Sequence, residues 1–271
     1  MYIRDQVIVL KKSAYRETDR RYFMYGLEHG LLIAVARGAS KTTAKQACSL
    51  EPLSFADVMI APGKAHAHLA VATPYHVQRT TYNVEQTSGS ELRDASYELR
   101  KLGALVVGGA FADLCLTLLK TGIADKRIFE LWQQLLSCLS DLPQEPTAYR
   151  SKLLYAAAAL KLLKLLGYGP SLNLCLSCRR EIEREEAKYS LDNNGVLCTS
   201  CATRDTSALF LEANALACLR LMESAAFVDL LPVSIPTDAL QKALNAVRLA
   251  LQHAPLDREP HGLVTIECIM A

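Results

Sequence analysis

Four cysteines fall into two pairs whose spacing suits a metal ion. The pairs are Cys175-x2-Cys178 and Cys198-x2-Cys201, with nineteen residues between them. A C-x-x-C turn lets two thiolates approach one ion, and two such turns separated by roughly fifteen to twenty residues are typical of zinc ribbons. Four thiolates complete a tetrahedral site and leave no position for water or substrate. The predicted cofactor is therefore one structural Zn²⁺ ion.

Two alternatives stay open for these cysteines. Four thiolates also suit an iron centre, and the sequence does not choose between the metals. The cysteines could instead be buried thiols or a redox pair, but residues 179–188 carry four acids and four bases, which argues against burial. We interpret the metal as taking the place of an apolar core in this segment. The other five cysteines are scattered among apolar neighbours and are predicted to be reduced thiols: Cys48, Cys115, Cys138, Cys218 and Cys268.

The cysteines interrupt a helical half of the chain that follows a strand-rich half. Alternating apolar residues and turn formers predict at least five strands and a small barrel, with strands at residues 2–10, 21–27, 31–37, 54–60 and 66–73. Apolar spacing of three and four predicts helices at residues 90–120, either continuous or broken at Gly108-Gly109, and at residues 125–139, 147–166, 207–227 and 236–253. The predicted class is α+β, with a barrel domain (1–82), a helical domain (83–271) and a zinc-ribbon-like insert within it (170–206).

Positive charge is concentrated in the barrel. Residues 1–80 contain eleven Lys or Arg against six Asp or Glu, whereas the whole chain has a net charge of +2. Lys12 and Arg16 add charge around the first turn, and Tyr15, Tyr22 and Tyr25 are candidates for stacking on bases. The alternative is a solvated basic face with no ligand, and aromatic residues that alternate along strands more often belong to the core. The candidate phosphate contacts are Lys11, Arg20, Arg21, Arg37, Lys41 and Lys45.

Several other classes of function lack their motifs. The chain has no G-x-G-x-x-G after a strand, no Walker sequence and no G-x-S-x-G, and no histidine opens the H-x-E of a zinc deaminase. His66-x-His68 is half of a metal site at most, and an exposed strand edge is the commoner explanation. The N-terminus does not resemble a secretory signal, and no apolar run approaches about 20 residues, so we expect a cytoplasmic protein without a membrane span.

The order of several segments along the chain carries a resemblance. The segments are VIVLKKSAYRETDR, HGLLIAVARGASK, LEPLS, Tyr97-Glu98-Leu99, Gly167-Tyr168-Gly169-Pro170, CLSC and DNNGVLCTSC. In this order they resemble the RecO family of bacterial DNA repair and recombination mediators. The chain departs from the family in the loop ASKTTAKQA, which is less rich in arginine than in many members, and in DNNG, where a double glycine is usual.

The resemblance implies an N-terminal OB-fold, a helical domain and a four-cysteine zinc insert. It also implies binding to single- and double-stranded DNA and annealing of complementary strands coated by single-strand binding protein, whose acidic C-terminal tail the family contacts. With its partner RecR the family helps to load RecA recombinase near the nucleoid, and no bond is made or broken. The alternative from another class is a zinc-ribbon structural adaptor that does not bind DNA directly.

Overall fold

The computed structural model describes residues 2–39, 50–63, 66–74, 102–140, 148–182, 186–205 and 208–256. The chain divides into two compact units, residues 1–145 and 146–271. Four groups of the predictions above lie outside the described residues: Lys41 and Lys45, the thiols Cys48 and Cys268, the segment at Tyr97, and the predicted domain boundary between residues 82 and 83. These stay predictions.

Five strands of the first unit form a closed barrel. They are β1 (Ile3–Ala14), β2 (Arg20–Gly26), β3 (Gly30–Ala36), β4 (Phe55–Ala61) and β5 (Ala67–Pro74). Their order around the barrel is β1-β2-β3-β5-β4, and β4 returns to pair with β1. All the pairings are antiparallel except β3 with β5. This is the five-stranded arrangement of an OB-fold, and it confirms the predicted barrel.

Every second side chain along the strands points into the barrel and fills its interior. Val7, Val9, Tyr22 and Met24 point into one buried cluster, where they meet small residues of β3 and the apolar residues of β4 and β5. β1 is longer than predicted because its register against β2 shifts between Val9 and Lys11. Such a bulge lets the strand continue to Ala14 as a partner of β2 alone. The β1–β2 turn therefore stands at the end of a two-stranded extension.

The start of the β3 edge is covered by residues from outside the barrel. β3 pairs with β5 through Ala34 and Val35 only. Nearer its start, Thr121 bridges to β3, and the Gly122 N–H donates to the Leu31 carbonyl at 3.4 Å. Gly30 has φ +65°, and a Cβ there would lie 2.0 Å from the Ile123 carbonyl oxygen. Only glycine suits this position, because both the backbone angle and the close approach exclude a side chain.

Two helices pack with the barrel in the first unit, α1 (Leu102–Leu118) and α2 (Lys126–Ser140). α1 runs without interruption through Gly108-Gly109, so of the two predictions the continuous helix is correct. Gly108 is needed for packing instead, since a Cβ there would lie 2.4 Å from Leu53. Asp125 accepts the Arg127 N–H at 2.9 Å and begins α2, as its type predicts. Phe55 and Phe129 meet edge to face, which fixes α2 against β4.

The second unit is helical with a small sheet inserted. Its helices are α3 (Ala148–Leu165), α4 (Ala213–Ser224), α5 (Phe227–Leu230) and α6 (Thr237–Gln252). The insert between α3 and α4 contains β6 (Ala187–Ser190), β7 (Gly195–Cys198), a 3₁₀ turn (Cys201–Arg204) and β8 (Leu209–Leu211), and its sheet order is β7-β6-β8. α3 ends where Gly167 adopts φ +83° and the Tyr168 N–H donates to the Leu163 carbonyl at 2.8 Å.

The predicted helix over residues 207–227 is wrong at both ends. Residues 209–211 form β8 and pair with β6, and the helix occupies only Ala213–Ser224. A short apolar run is compatible with either structure, and here pairing with β6 buries Leu211 completely. Among the described helices, none has the length and apolar character needed to cross a membrane.

Candidate metal centre and nucleic-acid interface

The first cysteine pair lies at the tip of a narrow ribbon. Leu174 and Glu181 face each other across it, and the Cys175 N–H donates to the Arg180 carbonyl at 2.8 Å. The Arg179 N–H donates to the Cys175 carbonyl at 2.9 Å and closes the turn. Arg179 has φ +61°, the left-handed conformation that this closure requires. The turn therefore presents the two sulfur atoms to the same side.

The second pair lies at the end of β7, where Cys198 is the last strand residue and Cys201 begins the 3₁₀ turn. The Leu176 N–H donates to the Val196 carbonyl at 3.0 Å and joins the two halves of the site. All four Sγ atoms lie within 4.8 Å of one another, and those of Cys178 and Cys198 are 3.9 Å apart. Four sulfurs around a tetrahedral ion at about 2.3 Å would be about 3.8 Å apart. The donor set therefore fits a tetrahedral metal.

The surroundings of two of the thiols shift their pKa values in opposite directions. Burial raises the pKa of Cys175, but hydrogen bonds from the backbone N–H groups of Cys178, Cys198 and Ser177 outweigh it and lower the pKa to about 6. The Ser177 side chain lowers the pKa of Cys201, yet contacts with the Cys198 and Cys178 thiols raise it to about 11. Four sulfurs this close repel one another when ionised, and a bound cation removes that repulsion.

The insert also has an apolar core, which corrects the interpretation that metal takes the place of one. The buried residues include Leu172, Ile182, Ala187, Tyr189, Val196 and Leu211. Arg220 of α4 reaches into the insert, and its Nη2 donates to the Leu172 carbonyl at 2.8 Å and also to the Ile182 carbonyl. These two carbonyls lie at the base of the ribbon that carries Cys175. The sequence does not predict the role of Arg220, because its partners are backbone carbonyls and these leave no pattern of side-chain types.

Among the described residues, the other three cysteines and the His66-x-His68 pair do not join this site. Cys115, Cys138 and Cys218 are buried, and burial raises the pKa of Cys218 to about 12. Cys48 and Cys268 lie outside the described residues. Within the described ranges, the four cysteines are the one grouping of potential metal ligands. His66 packs on the Tyr15 ring, and His68 Nε2 lies 3.4 Å from Arg37 Nη2.

The candidate phosphate contacts of the barrel lie on neighbouring strands. Arg21 of β2 is in register with Ser13 and Val35, and Val35 is in register with His68. Arg37 follows β3 directly and is exposed, as is Lys11, whereas Arg20 and Arg21 are half-buried. The structure thus brings Arg21 and Arg37 to the same end of the barrel. Lys11 lies further along β1, in register with Phe23.

Of the three tyrosines considered for base stacking, only Tyr15 is accessible at the surface. Tyr22 and Tyr25 are buried, so neither can stack on a base. Tyr22 fills the barrel interior, and the Tyr25 hydroxyl donates to the Asp125 carbonyl at 3.1 Å. Tyr15 is half-exposed in the β1–β2 turn and contacts His66 of the β4–β5 loop at a ring-centroid distance of 5.3 Å. OB-folds use the equivalent two loops, with the β2–β3 face, to bind oligonucleotides.

Two family models match the chain in order. The model described as "Recombination protein O N terminal" matches residues 1–76, which contain the barrel, and "Recombination protein O C terminal" matches residues 99–256, which contain the four cysteines. The chain belongs to the recombination protein O (RecO) family. The resemblance seen in the ordered sequence segments is thereby confirmed.

Curated relatives agree over most of the chain. It is 24% identical to the DNA repair protein RecO of Dehalococcoides mccartyi over 266 residues, which cover 97% of this chain and 94% of the relative. It is 28% identical over 198 residues to that of Rubrobacter xylanophilus, covering 73% and 71% of the two chains. It is 28% identical over 200 residues to that of Geobacter sulfurreducens, covering 73% and 72%. Membership in the RecO family places the chain among DNA repair proteins.

Proposed function

We propose that this RecO-family protein is a non-enzymatic mediator of DNA repair and recombination. It binds single- and double-stranded DNA, anneals complementary strands coated by single-strand binding protein, and acts with RecR to promote RecA loading at the nucleoid. The observation that carries the proposal is the OB barrel, whose β1–β2 turn and neighbouring strand ends bring the exposed Arg16 and the half-buried Arg21 to the Tyr15 ring, with Arg37 exposed at the end of β3. Basic and aromatic side chains at these loops suit a nucleic-acid backbone.

Annealing of this kind requires binding energy and no covalent step. Basic side chains that neutralise phosphates release condensed counterions, and they reduce the repulsion between two strands brought together. Contact with the acidic tail of single-strand binding protein would weaken the hold of that protein on the strand. Base pairing then supplies the driving force.

We propose Zn²⁺ as the ion held by Cys175, Cys178, Cys198 and Cys201. When bound, it supplies a structural cross-link and a charge that stabilises neighbouring thiolates. The cysteines fix the ribbon at Leu174 to the end of β7. With all four positions taken by sulfur, the site has no role in bond cleavage.

The test is annealing of complementary oligonucleotides precoated with single-strand binding protein. The intact chain is compared with Arg21→Glu/Arg37→Glu at several salt concentrations. A control variant, Lys120→Glu/Lys152→Glu, makes the same change in charge at two residues that do not belong to the barrel strands. The intact chain and the control should accelerate annealing, whereas the barrel variant should lose the acceleration and show a flatter salt dependence.

Two outcomes would contradict the proposal. If the intact chain does not accelerate annealing at any salt concentration, the mediator function fails and the structural adaptor becomes the better explanation. If the barrel variant anneals as well as the intact chain, DNA binding lies on another surface. Metal analysis of the purified protein separates Zn²⁺ from iron.

A further inference from the structure

Tyr15 is surrounded by two guanidinium groups and an imidazole. The Arg21 Cζ lies 4.5 Å from the centroid of its ring, and the Arg16 Cζ lies 5.5 Å from it. The His66 ring meets the Tyr15 ring edge to face at 81°. Both arginine distances are within the range of about 6 Å for an attractive contact between a cation and an aromatic ring.

The turn that carries Tyr15 is held by backbone contacts. The Tyr15 N–H donates to the Asp19 carbonyl at 3.1 Å and closes the turn. The Asp19 side chain accepts the Gly38 N–H at 2.9 Å, which ties the turn to the end of β3. The turn that carries the Tyr15 ring is therefore held in place. The long, flexible side chains of Arg16 and Arg21 contact this ring, which restricts their motion.

The two arginines keep their hydrogen-bond donors for a ligand. Within the described part of the chain, neither Arg16 nor Arg21 forms an ion pair with a carboxylate. A guanidinium held by an aromatic ring still presents a planar fork of N–H donors, which matches the oxygens of a phosphate. Holding the side chain in place before binding also lowers the entropy lost when a phosphate is bound.

We infer that Tyr15 is a positioning residue that holds Arg16 and Arg21 ready for the phosphates of single-stranded nucleic acid. The inference rests on the proposed DNA binding and deepens it. It assigns Arg16 as a phosphate contact that the sequence had not selected. It also gives Tyr15 a role different from base stacking, because the space around its ring is already shared by the arginines and His66.

Salt dependence distinguishes positioning from stacking. The affinity for a fluorescein-labelled polythymidylate oligonucleotide is measured by anisotropy between about 50 and 200 mM salt. Each phosphate contact contributes about 0.7 to the slope of log K against log salt for a single strand. Tyr15→Leu should therefore bind roughly tenfold more weakly at low salt, and its slope should be shallower by up to about 1.4. Tyr15→Phe should restore both values, since its ring still attracts the guanidinium groups.

A double-mutant cycle completes the test. Arg16→Gln/Arg21→Gln should lower the salt slope by the same amount as Tyr15→Leu does. Adding Tyr15→Leu to this double variant should change the slope and the affinity little further. Tyr2→Leu replaces an exposed tyrosine just before β1, at the other end of this strand from Tyr15, and should bind like the intact chain. Thermal unfolding of each variant checks that the barrel is folded.

The outcomes separate this inference from the function on which it rests. If the intact chain does not bind the oligonucleotide, the proposed function fails. If the intact chain binds and Tyr15→Leu weakens binding with an unchanged slope, Tyr15 stacks on a base and the inference is overturned. Affinity losses that add in the triple variant, or a folded Tyr15→Leu that binds normally, would overturn it as well.

Discussion

Cys175 shows how the insert prepares a thiol for a metal. Its side chain is fully buried, and burial alone disfavours the charged thiolate. Three backbone N–H groups nevertheless lower its pKa to about 6, and one of them belongs to Cys198 of the second pair. Cys218 is buried without comparable donors, and its pKa is raised to about 12. Local backbone geometry, rather than exposure, distinguishes the two kinds of cysteine.

This difference predicts unequal effects of two alanine substitutions. Cys178→Ala removes one of four ligands and should lower metal affinity by more than about a hundredfold, since even loss of an outer-shell partner costs up to that much. Cys218→Ala should keep one metal ion per chain. The measurement is competition with a chromophoric chelator together with elemental analysis. Equal metal content in the two variants would contradict the four-cysteine site.

At the residue scale, the sequence predicted what depends on side-chain spacing. The two C-x-x-C pairs could be found because their spacing is preserved in the fold. The roles of Arg220 and Tyr15 could not, because they depend on the Leu172 carbonyl and on residues that meet only when the barrel closes. Tyr22 and Tyr25 are buried rather than available for base stacking. Alternation along a strand shows which side chains share a face, but it does not show whether that face is covered by other residues.

At the scale of elements, all five strands of the barrel were predicted to within a few residues, whereas helix α4 was not. Strand boundaries were marked by turn formers such as the glycine at residue 30. The short run Leu209–Leu211 has no such marker, and its pairing with β6 is a contact between segments that sequence periodicity does not encode. The bulge that lengthens β1 escaped prediction for the same reason.

Two neighbouring glycines of α1 allow a direct test of helix packing. Gly109 is exposed with open space around it, so Gly109→Ala should stabilise the protein by roughly 0.5–1 kcal/mol through helix propensity. Gly108→Ala gains the same propensity but pushes a methyl group against Leu53, which costs about 1–3 kcal/mol. The free energy of unfolding in urea should therefore be higher for Gly109→Ala. A Gly108→Ala variant of equal stability would show that Leu53 moves aside at little cost.

At the scale of the whole molecule, the barrel and the first two helices form one compact unit. α1 packs on β1, Phe55 packs on Phe129, and Tyr25 is hydrogen-bonded to Asp125. These contacts bury the outer surface of the barrel on one side. An OB-fold of about eighty residues taken alone would expose that surface to water.

A fragment of residues 1–145 should accordingly unfold cooperatively and bind single-stranded DNA, whereas residues 1–82 should unfold at a lower temperature. The physical reason is the apolar area of β1 and β4 that α1 and α2 cover. Thermal unfolding followed by circular dichroism makes the comparison. If the shorter fragment is as stable as the longer one, the helices do not support the barrel.

The cover over β3 by Thr121 and Gly122 has a consequence for solubility. An open strand edge offers unpaired N–H and carbonyl groups to any other chain. Here the pairing of β3 with β5 is short, and the segment between α1 and α2 covers the start of that edge through Thr121 and the Gly122 N–H. This segment therefore shields the start of β3 from edge-to-edge pairing with another chain.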